Sequence, residues 1–229
     1  KLEDIIEISN FLGVDVFQRN KDKLNLIHKS TSINKPLKNL EDVILLILLG
    51  IPLIILTVIF SILVLLFQGR PIFFKQKRVG ENGNYFKIYK FRTMNSNKLT
   101  KQELLELNQR DKIVFKSSND PRITKLGKFL RKSSIDELPQ IINIFKNEMS
   151  FIGPRPPILE EVSQYELKHL KRISIKPGIT GLWQVTLRQD NNFDKWVEKD
   201  IEYIDNWNIF LDIKIIFLTF KEIYKLTGE

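Results

Sequence analysis

The chain has 229 residues, with 36 Lys plus Arg against 27 Asp plus Glu and a formal charge of +9. That length buries one sizeable core with at most a small appendage, and the positive excess calls for an anionic partner: nucleic acid, anionic lipid or a phosphorylated substrate. The lack of cysteine excludes disulfides and thiolate metal sites, and two histidines, His28 and His169, make histidine triads and zinc clusters poor expectations. What remains is hard-oxygen chemistry, carboxylates with Mg²⁺ and phosphate.

Residues 1–36 are mixed and polar, with strand-like runs at 11–17 and 21–30. They read as the tail of an upstream region or a linker, too short to fold alone, and His28 reads as a surface or strand residue. Residues 43–67 carry no charge and are rich in Ile and Leu, long enough as a helix to cross a hydrocarbon core. Gly50 and Pro52 interrupt the run near its middle, where proline bends a helix. Basic residues flank both ends, Lys29, Lys35 and Lys38 before and Arg70, Lys75, Lys77 and Arg78 after. Both flanks demand the cytoplasmic side, so a helical hairpin that dips in and returns is expected over a straight crossing.

Two β-prone runs, 71–79 and 85–94, follow around the turn-forming "GENGN" and predict a small β-hairpin. Their alternation offers one face to a core and lines the other with cations: Lys75, Lys77 and Arg78 from the first strand, Lys87, Lys90 and Arg92 from the second. Spacing alone leaves open whether these cations form a solvated or lipid-facing edge or a phosphate-binding face. A surface helix is expected at 101–107, a turn carrying Arg122 at "NDPRIT", and an amphipathic helix at 123–133 with Leu126, Phe129 and Leu130 inward. Another amphipathic helix is expected at 157–174, with His169 on its polar side. "KPGITGLWQV" reads as a glycine-rich loop that permits close backbone approach. Helices end the chain, and 209–220 is apolar nearly all round except at Asp212 and Lys214, which suits a membrane interface or a deep core.

Between them lies "RKSSIDELPQIINIFKNEMSFIGPRPP", residues 131–157. Ile135, Leu138, Ile141, Ile142 and Phe145 recur at helical spacing, and Ser134 with Glu137 makes a capping-box pattern. Pro139 suits a first turn, so the helix is expected to start near Ser134 to Asp136. Asp136 and Glu137 then sit at the positive end of a helix dipole, which favours the ionised carboxylate that a nucleophile or metal ligand needs. On local sequence alone, ordinary helix-start acids are the stronger reading.

Four blocks in order resemble the bacterial sugar transferase family, the monotopic polyprenyl-phosphate phosphoglycosyl transferases: "QGRPIFFKQKRVGENGNYFKIYKFRTM", "DPRITKLGKFLRKSSIDELPQIINIFKNEMSFIGPRP", "KPGITGLWQV" and "DIEYIDNWNIFLDIKIIFLT". The chain looks like the catalytic C-terminal portion of a larger member, with a membrane-anchored transferase domain at 37–229. The resemblance implies transfer of a sugar 1-phosphate from a UDP-sugar to undecaprenyl or another polyprenyl phosphate, with release of UMP, as the first membrane step of capsule, O-antigen or exopolysaccharide synthesis. It implies a covalent intermediate on Asp136, with Glu137 as a Mg²⁺ ligand or helper to the acceptor. Arg131 and Arg155 look like phosphate-holding residues, and Asp200 matches the acid of the "LD-YY" segment. Lys90, Arg92, Arg122 and Arg188 complete the substrate-binding set expected here. The implied setting is the cytoplasmic face of the bacterial inner membrane, with UDP-sugar, polyprenyl phosphate and the bilayer as partners, no nucleic acid, and homo-oligomerisation left open.

The fold class expected is α+β, mainly helical, with a re-entrant membrane helix hairpin, a small β-hairpin and amphipathic helices at the membrane interface. The chain departs from the family in two places. Ile54 and Ile55 hold the usual Ser-Pro position, with Pro52 about one turn early, and Thr186, Leu187 and Arg188 replace a small residue followed by Gly-Arg. Two alternatives compete with the transferase: a non-catalytic, membrane-tethered basic binding module, and a membrane phosphohydrolase using the same carboxylate.

Overall fold

The computed structural model describes residues 33–95 and 120–226. The strands expected at 11–17 and 21–30, His28, and the helix expected at 101–107 lie outside the described residues.

The apolar run becomes one α-helix of 34 residues, α1 (Lys35–Gln68), about 50 Å long. It starts ahead of the uncharged run because Asn34 accepts a hydrogen bond from the Leu37 N–H at 3.2 Å and Pro36 fits the first turn. The helix is continuous across Pro52, so the run forms one helix and not two joined by a turn. Lys38, Asp42, Gly50, Thr57 and Val64 are buried on one stripe of α1, while Ile47, Leu48, Ile51, Leu66 and Phe67 on the rest of its surface are exposed. Exposed apolar surface on this scale marks an interaction with something other than water. In the apolar interior the Thr57 and Ser61 hydroxyls donate to the Leu53 and Thr57 carbonyls.

Both ends of α1 are tied to the same body. Lys38 Nζ reaches Asp212 at 2.7 Å, and Asp42 accepts from the Ser150 hydroxyl at 2.7 Å and the Phe151 N–H at 3.1 Å. At the other end Gln68 donates to the Arg92 carbonyl at 3.1 Å and accepts from the Thr124 hydroxyl at 2.9 Å.

Strands β1 (Phe73–Val79) and β2 (Tyr85–Phe91) form the expected antiparallel hairpin, in register from Phe73 opposite Phe91 to Val79 opposite Tyr85. Its turn, Glu81–Gly83, places Asn82 and Gly83 at positive φ, 55° and 80°, as the "ENG" chemistry anticipates. The edge of β2 is closed by one side chain: Asn143, fully buried, accepts from the Tyr89 N–H at 3.2 Å and donates to the Lys87 carbonyl at 2.8 Å.

The hairpin sorts its cations onto two faces. Cross-strand pairing puts Lys75, Lys77 and Lys87 on the outer face with Tyr85 and Tyr89, and Arg78 and Lys90 on the inner face with Phe86 and Ile88. The single cationic face expected from the sequence is therefore corrected: Arg78 and Lys90 turn inward, and the three other lysines do not share their face.

Helix α2 (Lys125–Lys132) buries Gly127 and Leu130. A Cβ on Gly127 would lie 2.0 Å from the Thr93 carbonyl, so the helix can approach β2's end only with glycine there. Phe129, expected inward, is 51% exposed because the close-packed side of α2 runs through Gly127 and Leu130 instead. A 3₁₀ segment, Ile135–Gln140, leads into the short helix α3 (Ile141–Phe145). Phe145 is likewise exposed rather than core and stands beside Gly50 of α1.

A second sheet escaped the sequence reading. Strand β3 (Ser150–Ile152) pairs in parallel with β4 (Gly178–Thr180), which lies inside the stretch read as a loop. Gly178 permits this: a Cβ there would sit 2.1 Å from the Gly153 nitrogen. The crossover is not the single helix expected at 157–174 but α4 (Leu159–Val162) and a 3₁₀ segment, Leu167–Ile173. His169 is buried there rather than polar-facing; its Nδ1 accepts the Glu166 N–H at 3.0 Å and its ring lies edge-on to Tyr165 and Phe193.

Helices α5 (Leu182–Thr186), α6 (Phe193–Asp205) and α7 (Ile209–Tyr224) complete the fold. Trp183 stacks on Trp196 at 4.6 Å between ring centroids, joining α5 to α6. Helix α7 buries Asp212 and Ile215 and turns Phe210, Phe217, Phe220 and Tyr224 outward, the first and last 83% and 90% exposed. Of the two settings the sequence allowed, a deep core does not fit this outward apolar face.

Candidate active site

The dyad is positioned by its neighbours in sequence. In a 3₁₀ turn residues three apart share a face. Ile135 and Leu138 share one, and they pack on Val64 of α1, Phe91 of β2 and Leu130 of α2. Asp136 and Glu137 are thereby turned away from that packed face, on a segment held against α1 through Ile135 and Leu138. Their segment is 3₁₀, not the α-helical start expected, and the capping box does not form. Ser134 is in the left-handed conformation at φ 58°, whereas a capping residue needs extended backbone; its hydroxyl instead accepts from Arg188 at 2.9 Å.

Asp136 is 9% exposed. Burial pushes its carboxyl up to about 6; Lys90 and Arg131 oppose that rise and Glu137 adds to it. Glu137 is also raised by burial, but the Lys90 ammonium, 2.6 Å from its Oε1, together with Arg155 and Arg188, holds it below the usual carboxylate range. The two carboxyls, adjacent in sequence, are thus driven apart in acidity by which cations each one meets.

Four of the expected residues converge on the dyad: Lys90, Arg131, Arg155 and Arg188. Arg131 leaves the last turn of α2 and donates through Nε to the buried Thr93 hydroxyl at 2.9 Å. Arg155 is held by Glu161 at 3.3 Å, in a loop strapped to β1 by the Val79 N–H to Pro157 carbonyl bond of 3.0 Å. A cleft runs beside Glu137, lined by Lys90, Arg155, Gln140, Gln184, Arg78 and Gly178 among others.

Three expected residues are engaged elsewhere. Arg92 donates to the Gln68 and Gly69 carbonyls, closing the C-terminal end of α1. Arg122 grips Asp120 through two nitrogens. Asp200 is sealed in the interior, 2.7 Å from Arg172, which also donates to the Tyr165 hydroxyl at 2.7 Å. Gln140 and Gln184 were not singled out by sequence, and Arg78 entered only among the hairpin cations left open between a solvated or lipid-facing edge and a phosphate-binding face. For Arg78 a signal existed: counting alternate residues from its cross-strand partner Phe86 puts it on the face of Lys90. Nothing local marks the two glutamines.

Residues 33–226 match the family model described as bacterial sugar transferase. The chain is 49% identical over 163 residues to "Galactosyl transferase CpsE" of Streptococcus agalactiae, covering 70% of this chain and 36% of that protein. It is 38% identical over 200 residues to "UDP-glucose:undecaprenyl-phosphate glucose-1-phosphate transferase" of Escherichia coli, covering 82% of this chain and 40% of that protein. "Exopolysaccharide production protein ExoY" of Sinorhizobium fredii is 39% identical over 183 residues, 78% of this chain and 81% of its own length. Against CpsE and the Escherichia coli protein, then, the chain spans little more than a third of the relative. With the matched region taking in every described element, the chain belongs to the bacterial sugar transferase family.

Proposed function

We propose that this chain transfers a sugar 1-phosphate from a UDP-sugar to undecaprenyl phosphate, through a phosphosugar ester on Asp136, at the cytoplasmic face of the bacterial inner membrane. The observation that carries this reading is the Asp136–Glu137 pair lying under Lys90, Arg131, Arg155 and Arg188 on a segment packed against α1. A diphosphate is an anion, and a carboxylate can attack it only where cations cancel the repulsion. Guanidinium groups fork onto phosphate oxygens, and three of these four cations are arginines.

In the first step a carboxylate oxygen of Asp136 attacks the sugar-bearing phosphorus. The bond to the UMP oxygen breaks and UMP leaves with that electron pair. In the second step a phosphate oxygen of the lipid acceptor attacks the same phosphorus, and the Asp136–phosphorus bond breaks to restore the carboxylate. The acceptor arrives ionised, so no general base is required. Lys90 keeps Glu137 charged, and Arg131 holds the approaching phosphate over Asp136.

Mg²⁺ fits the donor chemistry. It takes one or two carboxylates plus phosphate oxygens and keeps water, and Lys90 occupies only Oε1 of Glu137, leaving Oε2. Glu137 with Asp136 would hold the ion, which supplies charge neutralisation of the diphosphate when bound. Among the described residues no larger group of acids is gathered that would hold it by protein alone.

A lipid acceptor must keep its tail in the bilayer while its phosphate reaches Asp136. The apolar faces of α1 and α7 supply that setting, and both ends of α1 tied to one body favour a re-entrant, monotopic path. Cysteines introduced at Lys38 and Lys75 are expected to label from the same side of the membrane; labelling from opposite sides would mean a straight crossing.

The test of the reaction is purified protein in nanodiscs with undecaprenyl phosphate, Mg²⁺ and a panel of UDP-sugars. UMP release that requires the lipid, with a phosphosugar trapped on Asp136, is expected. Release that proceeds without lipid would make the protein a phosphohydrolase, and no release with any UDP-sugar would leave the basic binding module.

A further inference from the structure

Arg78 is 7% exposed, yet among the described residues it has no carboxylate within salt-bridge distance. A buried guanidinium without an ion pair is costly and calls for compensation. Its protein partners are neutral: one terminal nitrogen donates to the Pro156 carbonyl at 2.9 Å and the other to the Gln76 side-chain oxygen at 2.7 Å. Those two bonds use two of the five N–H groups of an arginine. Its Nε is buried with no hydrogen-bond partner. Burial brings the Arg78 guanidinium down to about 9; Arg155 adds to the fall, and Glu161, Glu137 and Glu160 oppose it. Two arginines that repel each other line one cleft with Lys90 and Glu137. Glu161, at 3.3 Å from Arg155, and Glu137 offset part of that repulsion, and an anion held between the two arginines would offset more.

We propose that Arg78 is a further anion-holding residue of this site, gripping with Arg155 a phosphate oxygen that enters the cleft beside Glu137. This rests on the transferase reading and extends it by one residue. The oxygen comes either from the diphosphate of the sugar donor or from the head of the lipid acceptor. The bond to Pro156 gives Arg78 a second task, since that carbonyl directly follows Arg155 and fixes the loop presenting it.

The experiment compares wild type, Arg78→Met, Arg155→Gln and the double variant in nanodiscs. The readouts are KM for UDP-sugar, KM for undecaprenyl phosphate, and binding of inorganic pyrophosphate by calorimetry. Methionine replaces a buried cation by an apolar chain of similar length, so its melting temperature is expected near that of wild type. A 10-fold or larger loss of pyrophosphate affinity is expected for Arg78→Met, about 1.4 kcal/mol per decade. A KM rise confined to UDP-sugar assigns the oxygen to the donor; one confined to undecaprenyl phosphate assigns it to the acceptor.

The double variant separates direct contact from support of Arg155. If Arg78 touches the anion, removing it weakens binding further in the Arg155→Gln background. No further loss there, or unchanged affinity in Arg78→Met alone, overturns the proposal. Should the wild type turn over no UDP-sugar, the transferase reading fails, but pyrophosphate binding still decides the role of Arg78.

Discussion

Asp136 and Asp200 are two buried aspartates that burial raises alike, each to about 6. Their surroundings give them different work. Asp200 is 1% exposed and meets Arg172 at 2.7 Å, itself closed in by Tyr165 and Phe193, so its charge is matched and shut away. Asp136 forms no salt bridge among the described residues; it sits beside Glu137 next to a cleft and feels Lys90 and Arg131 without being claimed by them. A raised carboxyl by itself therefore does not mark a catalytic group. What separates the two is that Asp200 is locked to one guanidinium in a sealed pair, whereas Asp136 lies under the influence of two cations whose own bonds go to Glu137 and Thr93.

The sharpest way to break this comparison is to neutralise each acid. Asp136→Asn is expected to cut lipid-dependent UMP release by about three orders of magnitude or more, as loss of a nucleophile does, yet to stabilise the fold at neutral pH. The sign follows from the raised carboxyl. Its contribution to stability is present below the ordinary value of 3.8 and is lost as pH rises to about 6, so a neutral isostere removes a penalty at pH 7. A melting curve should rise by about 2–4 °C per kcal/mol recovered; a fall would mean that Asp136 is a structural acid like Asp200.

Asp200→Asn is expected to do the reverse. Asn leaves the buried Arg172 without its ion pair, a loss of about 3–5 kcal/mol that outweighs relief of the raised Asp200 carboxyl, so urea unfolding should shift strongly, while activity per folded molecule falls much less than in Asp136→Asn. Equal catalytic losses in the two variants would erase the distinction. A smaller effect is expected for Lys90→Met. Lys90 lowers both carboxyls of the dyad, so its loss raises both. Activity at pH 7 should fall by about 10- to 100-fold, the scale of a removed electrostatic contact. The acidic limb of the kcat/KM profile, placed by Asp136 near pH 6, should move to higher pH in that variant and stay in place in Asp200→Asn.

Much of the molecule could be read along the chain. The apolar run became α1, "GENGN" became the turn of a hairpin, and Asp136 and Glu137 came under Lys90, Arg131, Arg155 and Arg188. Other features could not. The capping-box pattern at Ser134 failed because its backbone is left-handed, a choice imposed by the sharp passage from α2 into the 3₁₀ segment. His169 and Phe129 exchanged the environments expected of them: the histidine fills a gap between Tyr165 and Phe193, and the phenylalanine is displaced outward where glycine makes the contact. The β3–β4 pair was hidden because three-residue parallel strands joined by a long crossover leave little local periodicity.

By itself the sequence determined the local matters: which stretch is too apolar for water, where the chain turns, and which acids lie side by side. These depend on neighbours a few residues apart, where sterics and hydrogen bonding act directly. Only the tertiary structure decided which cations meet which acids. Lys90 lies 47 positions from Glu137, and Arg172 lies 28 from Asp200. Charge pairing at such separations is set by how the elements pack, and packing determines whether a buried carboxylate is sealed or kept ready.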